Sequence, residues 1–269
     1  MEDKEKANAK VICYIIKNSF VGELPLVFED LKTITGKDIT INPEIAKAVK
    51  EYYEAHSYPL NLAKSKCIIS LKNREYGEGI ENMYFDPDQR LVFKVNFKDL
   101  TTEIVKEIPL TEGDTIEPIR SLLSQELKKV LPSIFKEPSV LVLAVIKGLM
   151  YMLDVTISTH SVNLKNKWSG EWISSWQFKW EKGSNSGELT GDINIKGHFY
   201  EEGNIQRKVS QKVGSQEIKL ADNLAILVCN CIVGVDGKIK STMSQMEGEF
   251  SEALLKKIRR KLPGKDIIQ

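Results

Sequence analysis

The 269-residue chain has little of the chemistry on which metal sites and disulfide-stabilised folds depend. It contains only three histidines and four cysteines, and the cysteines show no CxxC spacing. No histidine lies at metal-ligand spacing from another candidate ligand, so we expect neither a zinc site nor another metal or cofactor. We interpret the cysteines as reduced thiols in the core of an intracellular protein. These residues are His56, His160 and His198, and Cys13, Cys67, Cys229 and Cys231.

The motifs of the common enzyme classes are also missing. GxGxxG, GxSxG and HExxH do not occur, and Gly237-Lys238 is followed by Ile239 rather than by Ser or Thr, which excludes a P-loop. The carboxylate pairs lie in turn-like segments, where solvated charge is the simpler interpretation. We interpret His198, within a strand pattern, as a structural hydrogen-bonding residue rather than a base. The sequence therefore predicts a protein that is not an enzyme and has no catalytic residues.

The chain also has little net charge and no long uninterrupted apolar run. The formal net charge is +1, which argues against a protein that binds nucleic acid over its whole surface. The longest apolar run, residues 140–155, is interrupted by Lys147 and Asp154 and is shorter than the roughly 20 residues that span a bilayer. The first ten residues are charged and contain no apolar core of a secretory signal. We expect a cytoplasmic protein.

What the sequence does have is a tryptophan cluster. All four tryptophans lie at a spacing of four, at positions 168, 172, 176 and 180. Because four is an even step, a strand would place all four rings on one face. Gly170 and the Ser174-Ser175 pair disfavour a helix, whereas Trp, Ile and Phe favour a strand. We interpret the rings as structural packing on one face of a sheet.

Hydrophobic periodicity divides the rest of the chain. Three short helices are predicted within residues 3–55, strands from residue 66 and at 91–97, and a helix over roughly 115–135. Residues 138–213 have the pattern of a five-stranded antiparallel meander. We divide the chain into an N-terminal helical part, a middle part of strands and a helix, the sheet, and a C-terminal helix with a basic tail. The corresponding ranges are 1–60, 61–137, 138–214 and 215–269.

The last predicted element is a long helix. Apolar residues recur from Leu224 to Leu262 in steps of three or four, as a single helix requires. A turn at Val235-Asp236-Gly237 that splits the helix is the alternative. The apolar stripe is longer than one small sheet covers, so we predict that a second subunit buries part of it. The predicted dimer-interface residues are Val228, Ile232, Val235, Ile239, Met243 and Met246.

A basic cluster ends this helix. It has more cations than the dipole of a helix C-terminus calls for, and pairs at i,i+4 such as Lys256 and Arg260 repel each other. A negatively charged partner explains it better: an acidic protein surface, an anionic lipid headgroup or nucleic acid. The basic cluster consists of Lys256, Lys257, Arg259, Arg260, Lys261 and Lys265.

Several segments resemble the alpha subunit of the F-actin capping protein. Residues 255–263, LKKIRRKLP, are similar to that family's Phe-Lys-Ala/Ser-Leu-Arg-Arg-x-Leu-Pro signature. Residues 198–205, HFYEEGNI, are similar to its His-aromatic-aromatic-Glu-Asp-Gly-Asn-Val signature, and residues 168–176, WSGEWISSW, follow its Trp-Asn-Gly-Arg-Trp-Arg-Ser-Glu-Trp. Weaker similarities occur in family order at 22–24, 27–30, 85–87 and 93–94.

The resemblance implies an α+β fold with an N-terminal helical stalk, an antiparallel β-sheet and a long C-terminal helix packed on the sheet. It implies a cytoskeletal protein that caps the barbed ends of actin filaments independently of calcium and without severing them. Lys256 and Arg260 are the implied actin contacts, with Arg259 and Lys265 as weaker candidates. The implied partners are a capping protein beta subunit or a second copy of the chain, and anionic phosphoinositides, but no nucleic acid.

Two departures from the family pattern affect this expectation. The chain stops at Gln269, so most of the family's amphipathic tail is missing, and Asp266 lies near where the family has a further basic residue. Both predict weak rather than tight capping. The alternative function is a dimeric scaffold or anionic-phospholipid-binding protein that keeps the fold and does not cap.

Overall fold

Three amphipathic helices form the N-terminal part of the fold: α1 (Glu2–Asn18), α2 (Leu24–Thr35) and α3 (Pro43–Ala55). Pro43 is the first residue of α3, and Asn42 caps it by accepting a hydrogen bond from the Glu44 amide at 2.9 Å. The three predicted helices are confirmed. The structure, a computed structural model, describes residues 2–20, 22–36, 42–63, 65–74, 82–110, 115–163, 168–199 and 205–258.

Two small antiparallel sheets follow the helices. β1 (Tyr58–Leu62) pairs with β2 (Ser65–Ile69), and β3 (Met83–Asp86), β4 (Leu91–Asn96) and β5 (Thr101–Glu107) form a three-stranded sheet. The sequence predicts β2 and β4 but not the other three strands. β1 contains a proline, β3 has only four residues and β5 is largely exposed, so none of the three has a clear period-two apolar pattern.

The predicted five-stranded meander is confirmed. After the helix α4 (Glu117–Val130), β6 (Ser139–Lys147), β7 (Met150–Asn163), β8 (Trp168–Glu181), β9 (Ser186–Phe199) and β10 (Ile205–Lys219) pair antiparallel in simple chain order. β10 and β6 are therefore the two edges of this sheet. The sequence also predicts a hairpin turn at Glu201-Glu202-Gly203-Asn204 and a break at residues 111–114, and both segments lie outside the described residues.

The C-terminal helix α5 (Leu224–Ile258) is continuous over 35 residues. The prediction of one long helix is confirmed, and the alternative turn at Val235-Asp236-Gly237 is wrong. The reason is packing, because Asp236 is completely buried in the middle of the helix. Among the described residues no helix is both long and apolar enough to cross a lipid bilayer.

Two hydrophobic cores hold these elements. One core, within residues 12–100, joins α1, α2 and α3 to the two small sheets. The other, within residues 116–243, joins α4 and α5 to one face of the five-stranded sheet. α4 belongs to the second core because its apolar side chains, such as Leu123 and Leu127, are completely buried there. The cores therefore group the chain differently from the boundaries predicted at 60 and 137. The α+β class of the fold is as predicted.

The tryptophan-rich strand β8 lies at the centre of the sheet. Trp172, Trp176 and Trp180 are buried in the second core, as the shared-face prediction requires, while the side chain of Trp168 is outside the described part. Trp176 lies directly across from Gly191 of β9. A Cβ atom at Gly191 would stand only 2.4 Å from the Trp176 ring, so the large ring requires glycine at that position.

We expect Trp172→Ala to lower the free energy of unfolding by about 3–5 kcal/mol, because a buried ring is replaced by a cavity. The indole packs against Phe135 with 5.1 Å between ring centroids. Chemical denaturation followed by circular dichroism measures the loss. Leu149→Ala, at an exposed turn, serves as the control and should stay within about 0.5 kcal/mol. Equal stability of the two variants would contradict a structural role for the ring.

Candidate functional site

The helix α5 carries the candidate site, and the sheet determines its position. Val228 and Ile232 are completely buried inside the single chain. Their side chains therefore leave no surface for a partner to cover, and the prediction that placed them in a dimer interface is corrected in this respect. Val235, Ile239 and Met243 also pack on the core of the chain but remain partly exposed. The burial of the α5 side chains thus decreases from Leu224 toward Met243.

A single carboxylate interrupts the buried side of α5. Asp236 is completely buried and accepts a hydrogen bond from the Ser174 hydroxyl of β8 at 2.7 Å. Burial raises the pKa of the Asp236 carboxyl to about 7, opposed by the Ser174 hydroxyl and the Trp176 side chain. Oδ1 of Asp236 and Nε1 of Trp176 each lack a hydrogen bond of good geometry, although the indole is close enough to affect the carboxyl. This contact was not predicted from the sequence.

One turn further along α5, Lys240 makes a second polar contact. Its ammonium group donates a hydrogen bond to the carbonyl oxygen of Ile134, in the turn that follows α4. The same ammonium group lies 4.8 Å from the centre of the Phe135 ring, a cation–π arrangement. Burial lowers the pKa of Lys240. The lysine therefore binds α5 to the turn after α4 instead of pointing into solvent.

The predicted actin contacts lie at the far end of α5. Lys256 is in the last turn of the helix, in the part where the structure describes the backbone path only. For Met246 of the predicted dimer interface, too, the structure describes only the backbone. Arg259, Arg260 and Lys265 are outside the described residues.

Three of the sequence motifs meet where the N-terminal helices join the sheet. Glu23, between α1 and α2, accepts hydrogen bonds from the Ser169 hydroxyl of β8 at 2.5 Å and from His198 Nδ1 of β9 at 2.8 Å. The Phe20 ring stacks on the His198 ring with 4.4 Å between centroids. His198 is therefore a hydrogen-bonding structural residue, as predicted. Gly22 is required beside it, because its φ of +88° is left-handed and a Cβ would stand 2.0 Å from Val162.

The other two histidines meet a buried glutamate, Glu171, at the same joint. His56, which follows α3, donates from Nδ1 to Oε2 of Glu171 on β8. Lys196 Nζ of β9 is 3.2 Å from Oε1 of Glu171, and His160 Nδ1 of β7 is 4.0 Å from Oε2. Burial alone would raise the pKa of the Glu171 carboxyl, but the hydrogen bond to His56 and the positive charges beside it hold that pKa below its usual value.

His160 is the neutral member of this cluster. Burial lowers the pKa of its imidazole to about 4, and Nε2 is hydrogen-bonded to the Ser158 hydroxyl at 2.7 Å. All three histidines of the chain are thus used in the joint between the N-terminal helices and the sheet. Within the described residues, no group of three or more metal-ligating side chains is arranged to hold an ion. The cluster is suited to holding elements together.

We expect His160 to make the fold sensitive to acid. Between pH 6.5 and about 4 the unfolded chain binds a proton on this histidine and the folded chain does not, so folded-state stability falls as the pH falls. His160→Gln removes that difference. As the pH falls from 7 to 4, the free energy of unfolding of the variant should rise relative to that of the wild type by up to about 3 kcal/mol.

Urea denaturation of both proteins at several pH values measures this change. The comparison is between two proteins at each pH, so other titrating groups cancel to first order. A stability difference that does not change with pH would show that His160 is not held neutral by the fold.

The comparisons with known proteins agree with this architecture. The model of the F-actin capping protein alpha subunit family matches residues 12–266. The chain is 25% identical over 253 residues to the F-actin-capping protein subunit alpha of Eremothecium gossypii, covering 94% of this chain and 88% of that protein. It is 24% identical over 273 residues to the Arabidopsis thaliana protein of the same name, covering 97% and 86%.

Among solved structures, the fold is similar to that of the homodimeric actin capping protein alpha subunit from Plasmodium berghei. The TM-score is 0.73 at 18% sequence identity, with 91% of this chain and 93% of that chain covered. At this level of sequence identity, the structural similarity shows that the two proteins share a fold. The family match covers nearly the whole sequence, including the joint motifs and the long helix. The chain therefore belongs to the F-actin capping protein alpha subunit family.

Proposed function

We propose that this chain is the alpha subunit of a dimer that caps the barbed ends of actin filaments and blocks subunit addition and loss. The observation that carries the proposal is the family match over residues 12–266, which includes both the long helix and the whole basic cluster. The activity is binding rather than catalysis. It requires no calcium, does not sever filaments, and is exerted in the cytoplasm at the cytoskeleton.

The basic cluster would provide the actin contacts. Lys256 and Arg260 are four residues apart, a spacing that places them on the same side of a helix. Arg259 and Lys265 add positive charge beside them. A cation-rich helix end facing an acidic surface increases the rate of association and orients the encounter. Anionic phosphoinositides would compete for the same side chains, since their headgroups carry several negative charges.

The free edge of the sheet supports dimer formation. β10 is an edge strand of 15 residues, and most of its side chains are exposed. A long unpaired edge presents backbone donors and acceptors that another strand can satisfy. α5 contacts both β8 and β10, so it lies toward this edge. A partner that pairs with β10 would therefore reach the partly exposed Ile239 and Met243.

The N-terminal helices support the same conclusion. Val11 and Tyr14, on the outer face of α1, are 58% and 70% exposed, whereas Ile12 and Ile16 on the inner face are buried. A helix with apolar side chains on both faces has a second surface to cover. The partner is either a capping protein beta subunit or a second copy of this chain. The similar Plasmodium berghei protein is a homodimer.

We expect reversal of charge at Lys256 and Arg260 to weaken capping mainly through slower association, because exposed charges at the rim of an interface direct the encounter. Lys256→Glu/Arg260→Glu should lower the association rate at low salt by roughly tenfold or more and reduce its salt dependence. Elongation of barbed-end seeds with fluorescent actin measures the rate.

The matched control is Lys98→Glu/Lys182→Glu, which makes the same change of net charge at two exposed positions outside α5. Circular dichroism verifies that both variants fold. Equal capping by the two double variants would mean that the cluster serves another partner, for which vesicles with anionic headgroups would be the next test. Capping by neither variant nor the wild type would contradict the proposed function itself.

We expect Ile239→Asp/Met243→Asp to convert the dimer into monomers. The change places two uncompensated charges where a partner would bury them, at a cost of several kcal/mol. Ile226→Asp, on the exposed side of the same helix, should leave the assembly intact. Sedimentation velocity at micromolar concentration, with and without a beta subunit, distinguishes the species. A wild-type chain that stays monomeric in both cases would show that the dimer proposal is wrong.

A further inference from the structure

The apolar contacts of α5 do not by themselves determine where the helix stops along the sheet. Its apolar residues recur every three or four positions, so a slide by one turn, about 5.4 Å, places one apolar side chain where another was. Apolar burial is also non-directional and depends on area rather than on orientation. A helix that must hold its far end in a defined place needs a contact with direction.

The tryptophan face of β8 contains one small polar position. Ser174 is completely buried on the same face as Trp172 and Trp176, which precede and follow it along the strand. Its partners on the neighbouring strands are Ile157 of β7 and Ile193 of β9, both also completely buried. Ser174 is therefore the floor of a notch whose walls are four large side chains.

Asp236 of α5 reaches this notch. Its carboxylate is 2.7 Å from the Ser174 hydroxyl, with the Trp176 indole beside it. It is the only acidic residue between Leu224 and Met243 of α5, and it is completely buried. A buried carboxylate is a cost to stability that a leucine would not impose. Such groups are retained where they specify register, as a buried polar residue does in a coiled coil.

We propose that the contact between Asp236 and Ser174 fixes the register of α5 on the sheet and thereby positions the basic cluster for filament capping. Both residues are positioning residues, since neither reaches the end of the helix. This inference depends on the proposed capping function. From Asp236 the helix continues for 22 residues to Ile258, a lever of about 33 Å. A tilt of about 10° at the notch would move the helix end by roughly 6 Å, as far as a whole helical turn.

The same contact makes the position of α5 respond to pH. Burial raises the pKa of the Asp236 carboxyl to about 7, so both protonation states are populated near neutrality. The groups that affect this carboxyl are Ser174 and Trp176 of β8, and Lys240 lies one helical turn further along α5. Ile134 and Phe135, which bind Lys240, do not titrate. Ionisation of Asp236 thus places an uncompensated negative charge in the notch and weakens the contact that holds α5 in position on the sheet.

Asp236→Leu in the full dimer tests the proposal. We expect the variant to fold and to melt at or above the wild-type temperature, because an apolar side chain replaces a buried carboxyl. We also expect it to dissociate from barbed ends at least about tenfold faster, since apolar packing no longer specifies register. Asp222→Asn, an exposed acid just before α5, is the matched control and should dissociate like the wild type.

A distance measurement tests the position of α5 on the sheet independently of capping activity. One spin label is attached at Ser184→Cys, in the turn after β8, and a second at Ser251→Cys, on α5. The distance between the two labels reports the position of α5 relative to the sheet. Cys13 and Cys231 are replaced by serine so that they are not labelled. Asp236→Leu should broaden or shift the distance distribution. If Asp236→Leu does not fold, Ser174→Ala, which removes only the hydroxyl, should give the same broadening.

Two further outcomes decide the proposal. Dissociation of the wild type should differ several-fold between pH 6 and pH 8, and dissociation of Asp236→Asn should not depend on pH in that range, since an amide does not titrate. A narrow, unshifted distance together with wild-type dissociation in Asp236→Leu would overturn the inference. If the wild type does not cap at all, the proposed function fails, and the distance distribution alone still determines whether Asp236 sets the register.

Discussion

Burial of the tryptophan face of β8 is the constraint on which the rest of the structure depends. β8 is the central strand of the five, so its side chains contact both neighbouring strands and the helix layer of α4 and α5. The rings of Trp172, Trp176 and Trp180 are buried in the second core, and each large aromatic side chain removes roughly 150–250 Å² from solvent. The size of the rings dictates glycine at position 191, where the Trp176 ring lies across the neighbouring strand. Two of these rings, Trp172 and Trp176, form walls of the notch that receives α5.

Polar contacts link the two parts of the fold that contain the hydrophobic cores. Glu23 and Glu171 each link the N-terminal helices to the sheet, and the three histidines supply their partners. Buried ionisable groups are strongly destabilising when one partner is removed, which makes such a joint specific in geometry. Burial lowers the pKa of His160 and raises that of Asp236. Acid therefore destabilises the joint, whereas it stabilises the position of α5 in the notch.

The sequence predicts those parts of the fold that have a regular apolar period. The three N-terminal helices, the meander and the long helix all have such a period, whereas β5 is exposed along its length and has none. The tryptophan spacing correctly predicts a shared face. The sequence does not predict that α5 covers its own Val228 and Ile232, because an apolar stripe does not indicate which surface buries it. The contact of Ser174 with Asp236 joins residues 62 positions apart, and no local pattern reports a contact at that separation.

The motifs that identify the family describe architecture more than recognition. Glu23, Ser169 and His198 come from three different motifs and are paired with each other at the joint. Ser174 of the tryptophan-rich motif makes the notch contact with Asp236. The basic cluster, which begins at Lys256, is the segment that we propose to contact an external partner. A binding protein of this kind depends on a rigid scaffold to hold a short charged segment in place. The apolar layer supplies the energy for that scaffold, and the few buried polar contacts supply its orientation, because only directional interactions distinguish one register of a repetitive helix from the next.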